Sequence, residues 1–396
     1  MNFIQKLFDD LKPNFEKGGK WEKFYTLYEG HRTLFFVPSE TTSKTGAQIK
    51  DAIDMKRMMM TVIIAMIPCL LFGMWNVGHQ HYLAIGGDAT FLDKLLIGAF
   101  RTVPIIVVSY AVGLAIEFSI CVIRQHPVNE GYLVTGMLIP LVMPPTIPLW
   151  QVAVATAFAV IIGKEAFGGS GMNILNVALT ARAFLYFAYP SQISGEVWTY
   201  IGDNPTVDGY SGATILSYGA TAAANGTNMM ADIAAQGYAG VYNFWNMFIG
   251  IMPGSIGETS TLMCLIGAAI LIITGVGSWK IILSVFAGGY AMGLLFNIIG
   301  GNSFLEMPAH YHLVIGGLAF GAVYMATDPV TAAQTEKGKW IYGLMIGILT
   351  VLIRVVNPAY PEGIMLAILF MNVFAPLIDF YIVGANKKRR LKRATI

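Results

Sequence analysis

Charged residues are scarce in this sequence of 396 residues. Only 12% of them are Asp, Glu, Lys or Arg, whereas 55% are hydrophobic. A soluble protein carries about 25% charged residues, so the composition excludes an ordinary water-soluble domain and predicts an integral membrane protein. At about 20 apolar residues per crossing, the chain has room for roughly ten transmembrane helices.

Cysteine is scarce too, and the usual nucleotide-binding signatures are missing. Cys69, Cys121 and Cys264 all fall in apolar stretches, and none belongs to a CxxC pair. We therefore expect no disulfide, no zinc site and no iron–sulfur cluster held by this chain alone. The glycine-rich stretch 163–171 has neither the order of a Walker loop nor that of a dinucleotide-binding turn.

Positive charge is absent from one long segment, Pro190 to Ser260. Basic residues concentrate instead in the first 57 residues and in the tail 387–393. The positive-inside rule then predicts that both termini are cytoplasmic and that the segment lies on the outer side. Its acids are Glu196, Asp203, Asp208, Asp232 and Glu258.

Apolar runs separated by polar, Gly or Pro residues predict the helices. We place ten spans at 58–77, 95–123, 132–148, 149–163, 173–189, 260–276, 279–299, 312–327, 340–356 and 362–383. The predicted regions are a cytoplasmic extension at 1–56, a first five-helix half at 57–189, an outer loop at 190–259, a second half at 260–384 and a basic tail at 385–396. Five helices in each half give the halves inverted orientations.

The extension carries apolar residues at helical spacing between Phe3 and Phe15. This pattern predicts an amphipathic helix. Such a helix either lies on the membrane surface or docks against a partner subunit, and the sequence does not favour one over the other.

Ionisable side chains inside apolar spans are candidates for function. Glu117 and Asp379 lie within spans, and Asp328 lies at a cytoplasmic end. Carboxylates at these positions would suit the binding or passage of Na⁺ or protons. The alternative is an internal Arg–carboxylate pair between helices, which we slightly favour for Asp379 and Arg354.

Two amides open the fifth predicted span. Asn173 and Asn176 are one helical turn apart and are expected to face the same way. They could hold the polar edge of a heterocycle such as an isoalloxazine. Alternatively, they cap a helix that begins inside the membrane.

One polar motif stands out in the outer loop, where residues 208–214 read DGYSGAT. Thr214 follows small residues, so its hydroxyl has open space around it. The next residues predict a turn leading into a helix, whose positive end suits a phosphate. The alternative is that Thr214 is only a helix N-cap. Thr221, in a second Gly-Ala-Thr, is a rival position.

This motif resembles the [DE]Gx[ST]GAT flavinylation signature, and its matching residues are Asp208, Gly209, Ser211, Gly212, Ala213 and Thr214. Further stretches carry the resemblance over essentially the full length: 128–132, 148–151, 163–165, 326–330 and 354–363. Together they resemble the family of B subunits of Na⁺-translocating NADH:quinone oxidoreductases.

The resemblance implies a urea-transporter-like fold of ten helices in two inverted halves. It implies FMN joined to Thr214 by a phosphoester bond, and a non-covalent riboflavin near Asn173 and Asn176. It also implies an ion and quinone pathway, with Na⁺ uptake at three acids and ubiquinone near a glycine of the second span and the N-terminal extension. These residues would be Glu117, Asp328, Asp379 and Gly113.

The resemblance further implies a subunit of a bacterial inner-membrane enzyme that passes electrons from FMN through riboflavin to ubiquinone, coupled to Na⁺ translocation. Its partners would be an NADH-oxidising flavin and iron–sulfur subunit and a second covalent-FMN subunit, with no nucleic acid. One alternative is the D-type subunit of an Rnf ferredoxin:NAD oxidoreductase. Another is a flavin-free channel or secondary transporter. The extra stretch 201–206 departs from the family pattern and lengthens the outer loop.

Overall fold

The computed structural model describes residues 3–36, 45–46, 55–124, 131–202, 204–207, 210–229, 232–233, 242–357 and 362–394. Its helices are α1 (Phe3–Phe15), α2 (Tyr25–Phe35), α3 (Met55–Ile85), α4 (Phe91–Arg124), α5 (Gly131–Leu141), α6 (Leu149–Phe158), α7 (Val177–Ala188), α8 (Ile215–Asn225), α9 (Phe244–Ile249), α10 (Thr261–Ile273), α11 (Trp279–Ile299), α12 (Tyr311–Val314), α13 (Leu318–Phe320), α14 (Glu336–Val356) and α15 (Ile364–Ala394). These ranges contain no β-strand. The prediction of an all-α protein is confirmed.

Among these helices, six are long and apolar enough to cross a membrane. They are α3, α4, α11, α14, α15 and the continuous stretch Leu149–Phe167, which begins with α6. A multi-pass membrane protein is therefore confirmed. The other predicted spans fall on shorter or interrupted helices: α5, α7, α10 and the α12–α13 region. Gly316, at a φ of +62°, interrupts the last of these.

Two helix pairs recur in both halves, although the packing of α3 on α4 has no counterpart between α10 and α11. In each half, the second helix packs on the fourth: α4 packs on α6, and α11 packs on α14. The fourth also packs on the fifth in both halves, and the first helices, α3 and α10, pack on each other. The inverted relation of the two halves stays a prediction.

Small residues let α11 and α14 approach closely. A Cβ on Gly343 would lie 2.0 Å from the hydroxyl of Ser284, and one on Gly347 would lie 2.1 Å from the carbonyl oxygen of Val285. Helix pairs in membranes gain their stability from this kind of close packing. Substituting either glycine would therefore force the second half apart.

The N-terminal extension is a small helical unit. Helix α1, which the sequence predicts, packs on α2. The sequence analysis did not predict the helix α2. The ring of Phe15 stacks on Tyr28 at 5.1 Å, and the hydroxyl of Tyr28 donates to the carbonyl oxygen of Phe8. An apolar groove of about 430 Å³ lies between them.

The connecting segment predicted at 190–259 contains helices that share a hydrophobic core with residues of the second half. Helices α8 and α9 bury Ile215 and Met247 against Phe304 and Ile315 of the second half. The loop is therefore fixed on the transmembrane bundle and holds the polar motif in a defined place.

Candidate functional site

Thr214 begins a helix, as the sequence predicts. It is the N-cap of α8, and its hydroxyl oxygen accepts a hydrogen bond from the backbone N–H of Ser217 at 3.3 Å. The side chain is partly exposed. The N-cap interpretation is thus correct, and it leaves the hydroxyl at the positive end of the helix dipole. Asp208 and Gly209, the first residues of the motif, lie outside the described residues.

Hydrogen bonds and close packing hold the rest of the motif against neighbouring parts of the chain. The hydroxyl of Ser211 donates to the carboxylate of Glu196 at 3.0 Å, and the N–H of Ala213 donates to Ser211 Oγ at 3.3 Å. A Cβ on Gly212 would lie 2.4 Å from the carbonyl oxygen of Glu196. Tyr242 donates to the carbonyl oxygen of Ala213 at 3.0 Å. The local structure therefore accounts for Ser211 and Gly212 independently of any group bound to Thr214.

The rival threonine has a different setting. Thr221 lies within α8 and is exposed. A residue inside a helix has its neighbouring N–H groups already bonded. Only Thr214, of the two, offers the helix start that suits a phosphate.

A small cavity of about 20 Å³ is lined by Thr214, Glu258 and Glu362, among other residues. Arg182 donates to Glu258 Oε2 at 3.3 Å and also to Glu362. Glu258 is 5% exposed. Burial raises the pKa of Glu258 to about 7, although Arg182 opposes this effect.

The predicted pairing of Asp379 with Arg354 is wrong. Arg354 is fully buried and donates to the carbonyl oxygens of His312, Ile315 and Glu362. It lies 18 residues beyond the first residue of α14, a rise of about 27 Å. The two side chains therefore lie near opposite ends of that helix.

Asp379 holds the start of α14. Its carboxylate accepts hydrogen bonds from the N–H of Gln334 at 2.7 Å and the N–H of Thr335 at 3.0 Å. It also accepts one from the Thr335 hydroxyl at 2.6 Å. These bonds give Asp379 a structural role at the helix N-terminus.

Glu117 does have an internal partner, but it is a lysine. Lys164 Nζ lies 2.6 Å from Glu117 Oε1, and the two side chains are 3% and 2% exposed. The sequence analysis did not identify this lysine as a partner. Gly113 lies one turn before Glu117 on α4, and a Cβ there would lie 1.9 Å from the ring of Tyr132.

A larger cavity of about 460 Å³ opens beside this pair. It is lined by side chains from both halves, which include Lys164, Asn173, Asn176 and Asp328. Two wider helical turns border it, Ala159–Lys164 and Gly321–Met325. Such turns interrupt regular helices and occur frequently at functional sites.

The two amides in this cavity differ from the prediction in one respect. The helix begins at Val177, so Asn173 and Asn176 are not on one helical turn. Asn176 is the N-cap, accepting from the N–H of Leu179 and donating to Asp328 Oδ2 at 3.3 Å. Asn173 donates to the carbonyl oxygen of Leu175 at 3.0 Å. Both still line the same cavity.

Helix α7, which corresponds to the fifth predicted span, connects the two cavities. Asn176 caps α7 beside the larger one, and Arg182 lies six residues later beside the smaller one. The rise between them is about 9 Å. The sequence analysis identified Asn176 as a candidate but did not predict that Glu258 and Glu362 lie beside Arg182. The available signal was that each acid stands beside a glycine at the start of a predicted span, Glu258 just before 260–276 and Glu362 as the first residue of 362–383.

These features define a class of protein: a multi-pass helical membrane protein with a buried polar centre and a long connecting segment that presents a threonine at a helix start. The particular family follows from comparison. The model of the NQR2, RnfD, RnfE family matches residues 42–388, and the chain belongs to this family.

Curated relatives match over almost the full length. The B subunit of the Na⁺-translocating NADH-quinone reductase of Chromohalobacter salexigens is 49% identical, over 98% of this chain and 96% of that protein. The proteins of the same name from Stutzerimonas stutzeri and Klebsiella pneumoniae are 47% and 46% identical, over 98% of this chain and 99% of each relative.

Proposed function

We propose that this chain is the B-type membrane subunit of a Na⁺-translocating NADH:quinone reductase. It passes electrons from an FMN on Thr214, through a riboflavin near Asn173 and Asn176, to ubiquinone. The observation that carries the proposal is the position of Thr214 at the start of α8, at the end of a flavinylation motif. The names of the relatives support the assignment to this enzyme.

The surroundings of Thr214 fit the phosphate of FMN. Free N–H groups and the positive dipole at the start of an eleven-residue helix favour an anion. The neighbouring cavity, at about 20 Å³, is far smaller than the roughly 300–1,000 Å³ of a cofactor pocket. Thr214 would therefore hold the phosphate, with the ring outside this cavity.

The larger cavity fits a non-covalent flavin. Its volume of about 460 Å³ lies within the range for cofactor sites. Asn173 and Asn176 supply amide groups, and Asp328 and Lys164 supply charges of both signs. Bound flavins would supply electron transfer, while these residues would bind and orient the ring.

Charge balance links electron transfer to Na⁺. An added negative charge in a medium of low dielectric constant is costly unless a cation compensates it. Glu117 is held beside the larger cavity by Lys164, and Asp328 lines that cavity. We assign both to Na⁺ uptake, together with Asp379, and the region of Gly113 to ubiquinone.

The partners follow from what the sequence lacks. It contains no NADH-binding motif and no cluster-binding cysteine pattern. An NADH-oxidising flavin and iron–sulfur subunit and a second covalent-FMN subunit would supply the electrons. The complex would lie in the bacterial inner membrane, with both termini of this chain in the cytoplasm.

Flavin extraction tests the proposal against its alternatives. Denaturing the purified complex should release riboflavin and leave FMN on this chain, and the intact complex should reduce ubiquinone with NADH. A complex without flavin would favour a channel or secondary transporter. Electron transfer between ferredoxin and NAD, without quinone reduction, would favour the Rnf-type subunit.

Na⁺ uptake tests the role of the carboxylates. Glu117→Ala and Asp379→Ala complexes should take up less Na⁺ per electron than the wild type. Glu306→Ala, which removes an exposed acid, provides the control. Normal uptake in both variants would refute their assignment.

A further inference from the structure

Two of the three cysteines lie side by side in the core, although 195 positions separate them in the sequence. The sulfur atoms of Cys69 on α3 and Cys264 on α10 are 3.8 Å apart, and both side chains are at most 1% exposed. The described residues show no such contact for Cys121 of α4. The sequence analysis expected no disulfide because the cysteines are far apart in the sequence, whereas the fold brings two free thiols together.

Close backbone packing on both sides of the pair holds α3 against the second half. A Cβ on Gly267 of α10 would lie 2.5 Å from the carbonyl oxygen of Ala65, one turn before Cys69. A Cβ on Gly73, one turn after Cys69, would overlap the carbonyl oxygen of Ile256. Helices in membranes approach this closely where small residues meet. The two thiols are therefore held as neighbours by the packing of the backbones.

A chain of hydrogen bonds leads from the pair to a tyrosine. The hydroxyl of Tyr324 donates to the carbonyl oxygen of Ala65 at 2.8 Å, so its oxygen accepts from the thiol of Cys69 at 3.5 Å. Each thiol has one proton to donate, so Cys264 is the donor in the contact between the two sulfur atoms. Tyr324 also lines the larger cavity. The tyrosine thus connects the buried pair to a space outside the core.

We propose that Cys69 and Cys264 form a reversible disulfide that joins the first helices of the two halves. An S–S bond measures about 2.05 Å, so the sulfur atoms approach by about 1.8 Å when it forms. Rotation of a cysteine side chain about its Cα–Cβ bond moves the sulfur by this distance. The site needs neither FMN nor Na⁺, so it stands apart from the proposed function.

The oxidant that we assign to this step is a quinone of the membrane. The two thiols lose two protons and two electrons as the S–S bond forms, and the quinone takes up both pairs and becomes a hydroquinone. Quinones are the electron acceptors that keep protein thiols oxidised in the bacterial periplasm. The bilayer around this chain would supply the same class of oxidant.

The disulfide would fix the two halves to each other at one point. Helix α3 lines the larger cavity through Val62, and α10 lines it through Leu271. The bond would therefore tie together two walls of that cavity. It would also close a long loop of the chain, which constrains the unfolded state and makes unfolding more difficult.

Counting free thiols by mass tests the proposal. The purified complex is incubated with ubiquinone-1, whose fully substituted ring does not add to thiols, and is then denatured in excess N-ethylmaleimide. The intact mass of this chain should show three labels before oxidation and one label, on Cys121, after it. Dithiothreitol added before the label should restore three, because it reduces a disulfide but not a sulfinic acid.

Two matched variants separate the pair from the third cysteine. Oxidation should take Cys121→Ala from two labels to none, whereas Cys264→Ala should keep both of its labels. The SDS concentration that unfolds half of the chain should rise on oxidation in the wild type and in Cys121→Ala, but not in Cys264→Ala. Helical circular dichroism shows whether each variant is folded.

The label count in the wild type decides the outcome without any variant. Three labels after incubation with ubiquinone-1 would overturn the inference. Loss of a label from oxidised Cys264→Ala would also contradict it, because the remaining cysteines would then react without the proposed partner.

Discussion

The buried pair of Glu117 and Lys164 makes the sharpest prediction about stability. The two charged atoms are 2.6 Å apart, and both side chains are almost fully buried. At an effective dielectric constant of about 20, their attraction is about 6 kcal/mol before desolvation is considered. Glu117→Gln removes this attraction and leaves a buried lysine without its partner, so we expect the free energy of unfolding to fall by about 3–5 kcal/mol.

The assay is unfolding of the purified chain in mixed detergent and SDS micelles, followed by helical circular dichroism. The double variant Glu117→Gln/Lys164→Met should recover most of the loss, because it removes both charges. Lys280→Met, which breaks an exposed pair with Glu336, should change little. If Glu117→Gln proves no more destabilising than Lys280→Met, the reasoning about this pair is refuted.

Three further predictions concern positions with one clear contact each. Gly113→Ala should lower the free energy of unfolding by about 1–3 kcal/mol, because the added Cβ meets a tyrosine ring. The control Gly384→Ala should not lower it, because a Cβ there has nothing within 4 Å. Equal melting temperatures of the two variants would contradict this prediction. Asp379→Ala should cost about 0.5–2 kcal/mol by removing the hydrogen bonds that hold Gln334 and the N-cap residue Thr335 at the start of α14, and unchanged hydrogen exchange in the first turn of α14 would disprove it. Asn176→Ala should lose both a helix cap and bound riboflavin, whereas Asn173→Ala should lose riboflavin alone. The melting temperature reports the loss of the cap, and flavin extraction reports the loss of riboflavin.

The sequence predicts the helices well, because apolar runs and charge asymmetry are local signals. Every predicted span overlaps a helix of the structure, although 132–148 and 312–327 are helical only in part. Boundaries were less accurate where a helix extends past its apolar part. The last helix, for example, continues through the basic tail to Ala394, since lysine and arginine are good helix formers in water.

Side-chain partners were predicted less well, because they depend on contacts between distant parts of the chain. Lys164 reads as an ordinary loop charge, yet the fold brings it to Glu117, 47 residues away. Asp379 reads as a partner for an arginine, yet it meets backbone N–H groups. Thr214 succeeded because an N-cap is specified by the residues that immediately follow it.

The intact mass of the chain, purified from a host that has the flavin-attaching machinery, tests the central claim most directly. The account predicts a mass increase equal to FMN minus water in the native chain, and none in Thr214→Ala. A native chain without added mass would contradict the account. Added mass that persists in Thr214→Ala would move the anchor elsewhere, with Thr221 the first position to examine.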